Sequence, residues 1–148
     1  MNNNQINLLE EQLGLLDKSQ SVLEYSYHRC LAIKDKPEFD AQDLERFESL
    51  TGRFSRLSDL LIQKMFRLID SLDLDDEGTV RDRINRAEKK GLIASAEQFV
   101  LIRELRNTIA HEYDPIASEQ VFLHVLEFCP VLFNTVDKLK QYAKKYVS

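Results

Sequence analysis

Between Phe47 and Leu72 the apolar residues Phe47, Leu50, Phe54, Leu57, Leu61, Met65, Leu68 and Leu72 recur at intervals of three and four. That is the period of one face of an α-helix held for about seven turns. A strand would bury every second residue, so this stretch excludes a mainly β fold over its length. A helix with one apolar seam must pack that seam on other helices. Gly52 is its one weak point, at about 1 kcal/mol relative to Ala.

The rest of the chain follows suit. A first helix is expected from about Gln5 to Lys34, with Leu8, Leu9, Leu13, Leu16, Val22, Leu23, Tyr27, Cys30 and Leu31 as its buried stripe and Pro37 beyond its end. The seam helix starts near Asp40. A short helix follows from Thr79 to Lys90, stopped by Gly91. A fourth opens on a capping box, Ser95 with Gln98, and buries Phe99, Ile102, Leu105 and Ile109. A fifth starts at Asp114-Pro115 as N-cap and first helical residue and reaches about Tyr146, with Pro130 expected to kink it and free the Leu126 carbonyl. The 148 residues hold only four Gly and three Pro, too few for a many-turned β fold. The expectation is a single all-α domain over residues 1–148, a bundle of four to five helices.

Charge and motifs narrow the function. The net charge is −5, but residues 1–50 carry the whole imbalance, with five Lys/Arg against ten Asp/Glu. Thr79 to Arg106 is locally basic, with seven cations against four acids. No apolar run is long enough to span a membrane and no basic, apolar leader opens the sequence, so a cytoplasmic protein is expected. Cys30 and Cys129 match no metal spacing and are expected as small buried residues. Asp73-Leu74-Asp75-Asp76-Glu77-Gly78 has the opening of a calcium loop, but Ile84 stands where the bidentate acid belongs, so it is read as an acidic turn. No metal or other cofactor is expected.

The candidate chemistry lies at the end of the fourth helix, in Arg103-Glu104-Leu105-Arg106-Asn107-Thr108-Ile109-Ala110-His111-Glu112-Tyr113. Arg106 offers a planar cationic fork to a phosphate, and His111 is an acid/base of near-neutral pKa. Together they suit cleavage of RNA through its 2′-hydroxyl. Asn107 and His111, four apart, share a face, and Arg103 lies one turn earlier. Arg106 and His111 are five apart, about 140° around a regular helix. They converge if the helix loosens before Asp114-Pro115, or if two subunits share one cleft. By spacing alone, a surface Arg and a His capping a helix end are the favoured reading.

The string from Arg106 to Tyr113 resembles the R-x4-H-x-Y signature of the HEPN superfamily, in particular its HepT-like toxins. The long seam helix is similar to that family's dimerising core. The resemblance implies a HEPN-type bundle working as a homodimer, a metal-independent endoribonuclease toxin of a type VII-like toxin–antitoxin pair. In it Arg106 and His111 are catalytic and Asn107 supports the site. It also implies an MNT-type nucleotidyltransferase antitoxin that transfers AMP to Tyr113. The alternative is a non-catalytic helical subunit that presents substrate to such a nucleotidyltransferase. A helical scaffold with a fortuitous motif is the third reading. Arg103, Arg53 and Lys64 are candidates to widen an RNA surface, with Arg56 and Arg67 near them and Arg56 expected to pair with Asp59. His28 and His124 are read as structural, and Lys138, Lys140, Lys144 and Lys145 as partners of a helix dipole.

Overall fold

The computed structural model describes residues 3–111 and 115–147. Six helices follow one another: α1 (Asn3–Leu31), α2 (Ala41–Asp59), α3 (Phe66–Leu72), α4 (Val80–Lys89), α5 (Ala96–His111) and α6 (Pro115–Ala143). A π-helical turn, Leu60–Met65, joins α2 to α3 into one continuous rod, so the bundle has five rods. No strand occurs among the described residues. No helix is long and apolar enough to cross a membrane among them.

Local chemistry sets the boundaries. Asp40 caps α2 by accepting from the Asp43 N–H at 2.8 Å, while the Asp43 carboxylate accepts from the Asp40 N–H at 3.1 Å. Thr79 and Asp82 make the same reciprocal cap on α4. Gly78 precedes it at φ +96°, where an added Cβ would stand 2.3 Å from an Asp82 carboxylate oxygen. Gly91 ends α4 at φ +78°, the left-handed exit expected of it. At α5, Ser95 accepts from the Gln98 N–H at 3.2 Å, and Glu88 reaches over from α4 to take the Ala96 N–H at 2.6 Å. The cap expected at Asp114 lies outside the described residues.

Leu9, Leu16, Leu23 and Cys30 of α1 are fully buried at intervals of seven. Leu8 and Val22, also assigned to that stripe from sequence, are exposed: the buried face is one residue narrower than the pattern allowed. α1 packs chiefly along α2, and α5 lies against α2, α4 and α6. Phe47 stacks on Phe122 with centroids 4.8 Å apart, and Phe66 meets Phe99 at 5.7 Å, fixing α2 to α6 and α3 to α5. Cys30 and Cys129 are buried free thiols. Burial pushes Cys30 up to about 11 and Cys129 higher, so neither is a nucleophile. α6 runs unbroken past Pro130, which is exposed.

The π turn has a definite effect. Strict alternation of three and four from Leu57 and Leu61 would bury positions 64, 68 and 71. The wide turn absorbs one extra residue, and the fully buried positions become Leu61, Met65 and Ile69, with Leu72 nearly so. Lys64 is thereby turned out to solvent.

The acidic turn after α3 is a structural hub. Asp70 is buried and bonded by Arg86 at 2.9 Å and Lys90 at 2.6 Å. Asp73 is gripped by Lys90 at 3.0 Å, Lys145 at 3.1 Å, the Tyr142 hydroxyl at 2.5 Å and the Tyr146 hydroxyl. Lys145 therefore ties the end of the chain to this turn, rather than serving only a helix dipole, and Lys140 pairs with Asp17 of α1. Burial alone would raise the Asp73 carboxyl, but these donors outweigh it and hold it well below the carboxylate range.

Candidate functional site

α5 buries Phe99, Ile102 and Leu105 on one side, and this rotation carries the neighbouring Arg106 toward the end of α2. There its guanidinium makes two parallel hydrogen bonds to the carboxylate of Asp59, Nε to Oδ1 at 2.8 Å and Nη2 to Oδ2 at 2.9 Å. Asp59 is the last α-helical residue before the π turn. The bond to Asp59 holds the Arg106 guanidinium still more firmly protonated than usual. The Arg56–Asp59 pair expected from their spacing does not form, because both Asp59 oxygens face Arg106 across the helix interface.

This ion pair lines a cleft of about 590 Å³ bounded by Arg56, Ser58, Asp59, Leu60, Ile62, Gln63, Lys64, Arg103, Arg106 and Asn107. Four of these side chains are cationic and one is anionic, in a chain whose net charge is negative. Of the seven cations in the Thr79–Arg106 segment, Arg103 and Arg106 line the cleft, and α2 and the π turn add Arg56 and Lys64 on the other wall. Ser58 lines the cleft, and its buried hydroxyl has no hydrogen-bond partner among the described residues. A buried hydroxyl without a partner is uncommon in folded proteins.

Arg103, Lys64, Asn107 and Arg106 are thus brought together, as are Arg56 and the cleft. Arg53 is not. Its guanidinium bonds the Val22 carbonyl at 3.2 Å and the Ser26 hydroxyl at 2.8 Å on α1, and it lines a separate hollow with Arg29 and Arg46. His111 is the last residue of α5, exposed, and does not line the cleft. α5 keeps α-helical form through His111, so within one chain the turn of about 140° between Arg106 and His111 stands. Tyr113 lies outside the described residues. Of the other histidines, His28 packs edge-on against Tyr27, and exposed His124 lines a groove between α5 and α6. Among the described residues no three His, Cys, Asp or Glu side chains are grouped as metal ligands would be.

The chain is similar to a known protein. It is 26% identical over 137 residues to the probable ribonuclease HepT of Haemophilus influenzae, a match covering 87% of this chain and 92% of that one. The similarity therefore covers most of the chain rather than one motif, and it supports the HEPN, HepT-like kinship suggested by the string from Arg106 to Tyr113. No family model matches the chain, and no solved structure is matched by it.

Sequence reasoning missed Ser58 and Gln63, and gave Asp59 to Arg56 rather than to Arg106. Asp59 is 47 residues from Arg106, so no local spacing links them. One trace was available: Leu57, Leu61 and Met65 follow two intervals of four in succession, at the place where the rod widens into the π turn. Such widened turns often lie at functional sites, and this one walls the cleft.

Proposed function

We propose that this protein is a metal-independent endoribonuclease of the HEPN kind. The observation that carries the reading is the Arg106 fork in a cationic cleft beside Asn107, Arg103 and Lys64. Arg106 binds the scissile phosphate and stabilises the charge that develops on it. His111 removes the 2′-hydroxyl proton; the 2′-oxygen attacks phosphorus, the 5′-oxygen departs with a proton, and a 2′,3′-cyclic phosphate remains. Asn107 orients the phosphate or the imidazole. Similarity to a probable ribonuclease over most of both chains supports this chemistry.

The regular helix through His111 favours a site shared across a homodimer, with Arg106 from one protomer and His111 from its partner. In the same reading the protein is the toxin of a toxin–antitoxin pair in the cytoplasm. Its antitoxin is an MNT-type nucleotidyltransferase that places AMP on Tyr113, adding an anion that repels RNA. One observation favours a second reading, a non-catalytic subunit presenting substrate to a nucleotidyltransferase: the Arg106 fork is already filled by Asp59, as a purely structural arginine would be. Incubation of RNA with wild type, Arg106→Ala and His111→Ala separates the two. The ribonuclease reading expects cleavage by wild type in EDTA and none by either variant. Equal, intact RNA in all three supports the second.

A further inference from the structure

Three arginines from three helices lie on the cleft or beside residues that line it, and none has a carboxylate partner among the described residues. Arg103 of α5 is exposed and lines the cleft. Arg83 of α4 donates through Nη1 to the Ile62 carbonyl at 3.1 Å and to Gln63 Oε1 at 3.3 Å, and Ile62 and Gln63 are themselves cleft residues. Arg67 of α3, exposed, stands four residues on from Gln63, one turn along the rod. The nearby acid is not available to them: Asp70 is buried and already shared by Arg86 and Lys90. Burial, and then the positive charge of Arg67, press on the Arg83 guanidinium and lower its proton affinity; Asp70 pulls the other way, and Arg86 and Arg103 add smaller repulsions.

A half-buried guanidinium held on neutral acceptors, with the repelling charges of Arg67 and Arg103 near it, is an arrangement that an anion relieves. Ordinary surface arginines escape such repulsion by turning into water. Arg83 cannot turn away without losing its two bonds to the π turn. The π turn thus does two things: it turns Lys64 outward, and it offers the carbonyl that anchors Arg83.

We infer that Arg67, Arg83 and Arg103 form a second phosphate subsite, adjoining the Arg106 fork and taking the neighbouring phosphate of a single-stranded RNA backbone. The inference rests on the ribonuclease reading for the phosphate at Arg106 and adds to it a direction, from the fork along α5 toward α4 and α3. It makes the substrate an oligonucleotide held at consecutive phosphates rather than a mononucleotide. Planar forks suit this task, since each can face a phosphate with two N–H groups.

The test uses the full chain carrying His111→Ala, which leaves RNA intact, and a fluorescently labelled ten-nucleotide single-stranded RNA. Anisotropy gives the Kd across a series of salt concentrations. Single strands lose about 0.7 in the slope of log affinity against log salt for each phosphate contact removed. Arg67→Ala and Arg83→Gln are each expected to weaken binding roughly fivefold and to flatten the slope by about that amount. Arg67 is exposed and makes no hydrogen bond or ion pair among the described residues, so its variant folds whatever the fate of Arg83. Lys144→Ala, just beyond the end of α6, controls for general charge and is expected to change neither quantity. If Arg106→Ala weakens binding while Arg67→Ala and Arg83→Gln match the parent, the subsite is refuted and the ribonuclease reading stands. An effect of Lys144→Ala equal to theirs also refutes it. If the parent binds no RNA, both fall together.

Discussion

Asp59 fills the fork that the proposed function assigns to a phosphate, so the substrate must compete with it. The Asp59→Asn variant removes the competing charge and leaves the side-chain shape. The ion pair is partly open to water, with side-chain exposures of 32% for Arg106 and 43% for Asp59. Pairs this exposed are worth about 1 kcal/mol, a bidentate one such as this standing at the upper end of the usual range. Two consequences follow from that one magnitude. Loss of the pair lowers the unfolding free energy by no more than about 1 kcal/mol, a fall in Tm of a few degrees at most for a domain of this size. Phosphate binding, relieved of the same competition, tightens by up to about fivefold, since 1.4 kcal/mol is a factor of ten. Anisotropy with labelled RNA in the His111→Ala background reads the binding, and a thermal melt reads the stability. Unchanged or weaker binding by Asp59→Asn, with the fold intact, would refute competition and show that Asp59 instead holds Arg106 in its working orientation.

Other expectations concern the scaffold. Phe99, fully buried against Phe66, loses about 3–5 kcal/mol of stability as Phe99→Ala, measured by urea denaturation. Leu74 is 92% exposed with φ +59°, so its side chain gains nothing from burial while its backbone is strained; Leu74→Gly is expected to raise Tm rather than lower it. The carboxyl of Asp73 lies below its unfolded value of about 3.9. It therefore contributes stability that is fully present above that pH and is lost as pH falls through the folded pKa. Asp73→Asn should flatten the acid limb of stability against pH below about 4, and an acid limb as steep as wild type would remove Asp73 from that role.

Much of the fold was legible because each helix carries its own local signal. Asp40, Thr79, Ser95 and Gly91 mark boundaries through backbone chemistry within four residues, and the seam from Phe47 to Leu72 fixes one buried face. The stripe of α1 was read too broadly, because Leu8 and Val22 stand beside buried Leu9 and Leu23 and hydrophobicity alone does not say which of two neighbours faces inward. The site was legible on one wall only. Arg103, Arg106 and Asn107 share a helix face by spacing, whereas Asp59, Ser58 and Gln63 come from a rod distant in sequence. Arg53 and Arg56 show the same limit. They are three residues apart on one helix, yet Arg53 bonds to α1 and Arg56 lines the cleft.

The central claim is a ribonuclease site assembled from Arg106 of one protomer and His111 of another. Mixing two inactive variants tests it most directly. Arg106→Ala and His111→Ala proteins are denatured together, refolded to allow exchange of protomers, and assayed for RNA cleavage in EDTA. In a mixed dimer with shared sites, one site carries both substitutions and the other carries none. With random pairing, half the dimers are mixed, so about a quarter of wild-type activity should return. A mixture as inactive as its components, beside a refolded wild type that cleaves, would contradict the shared site.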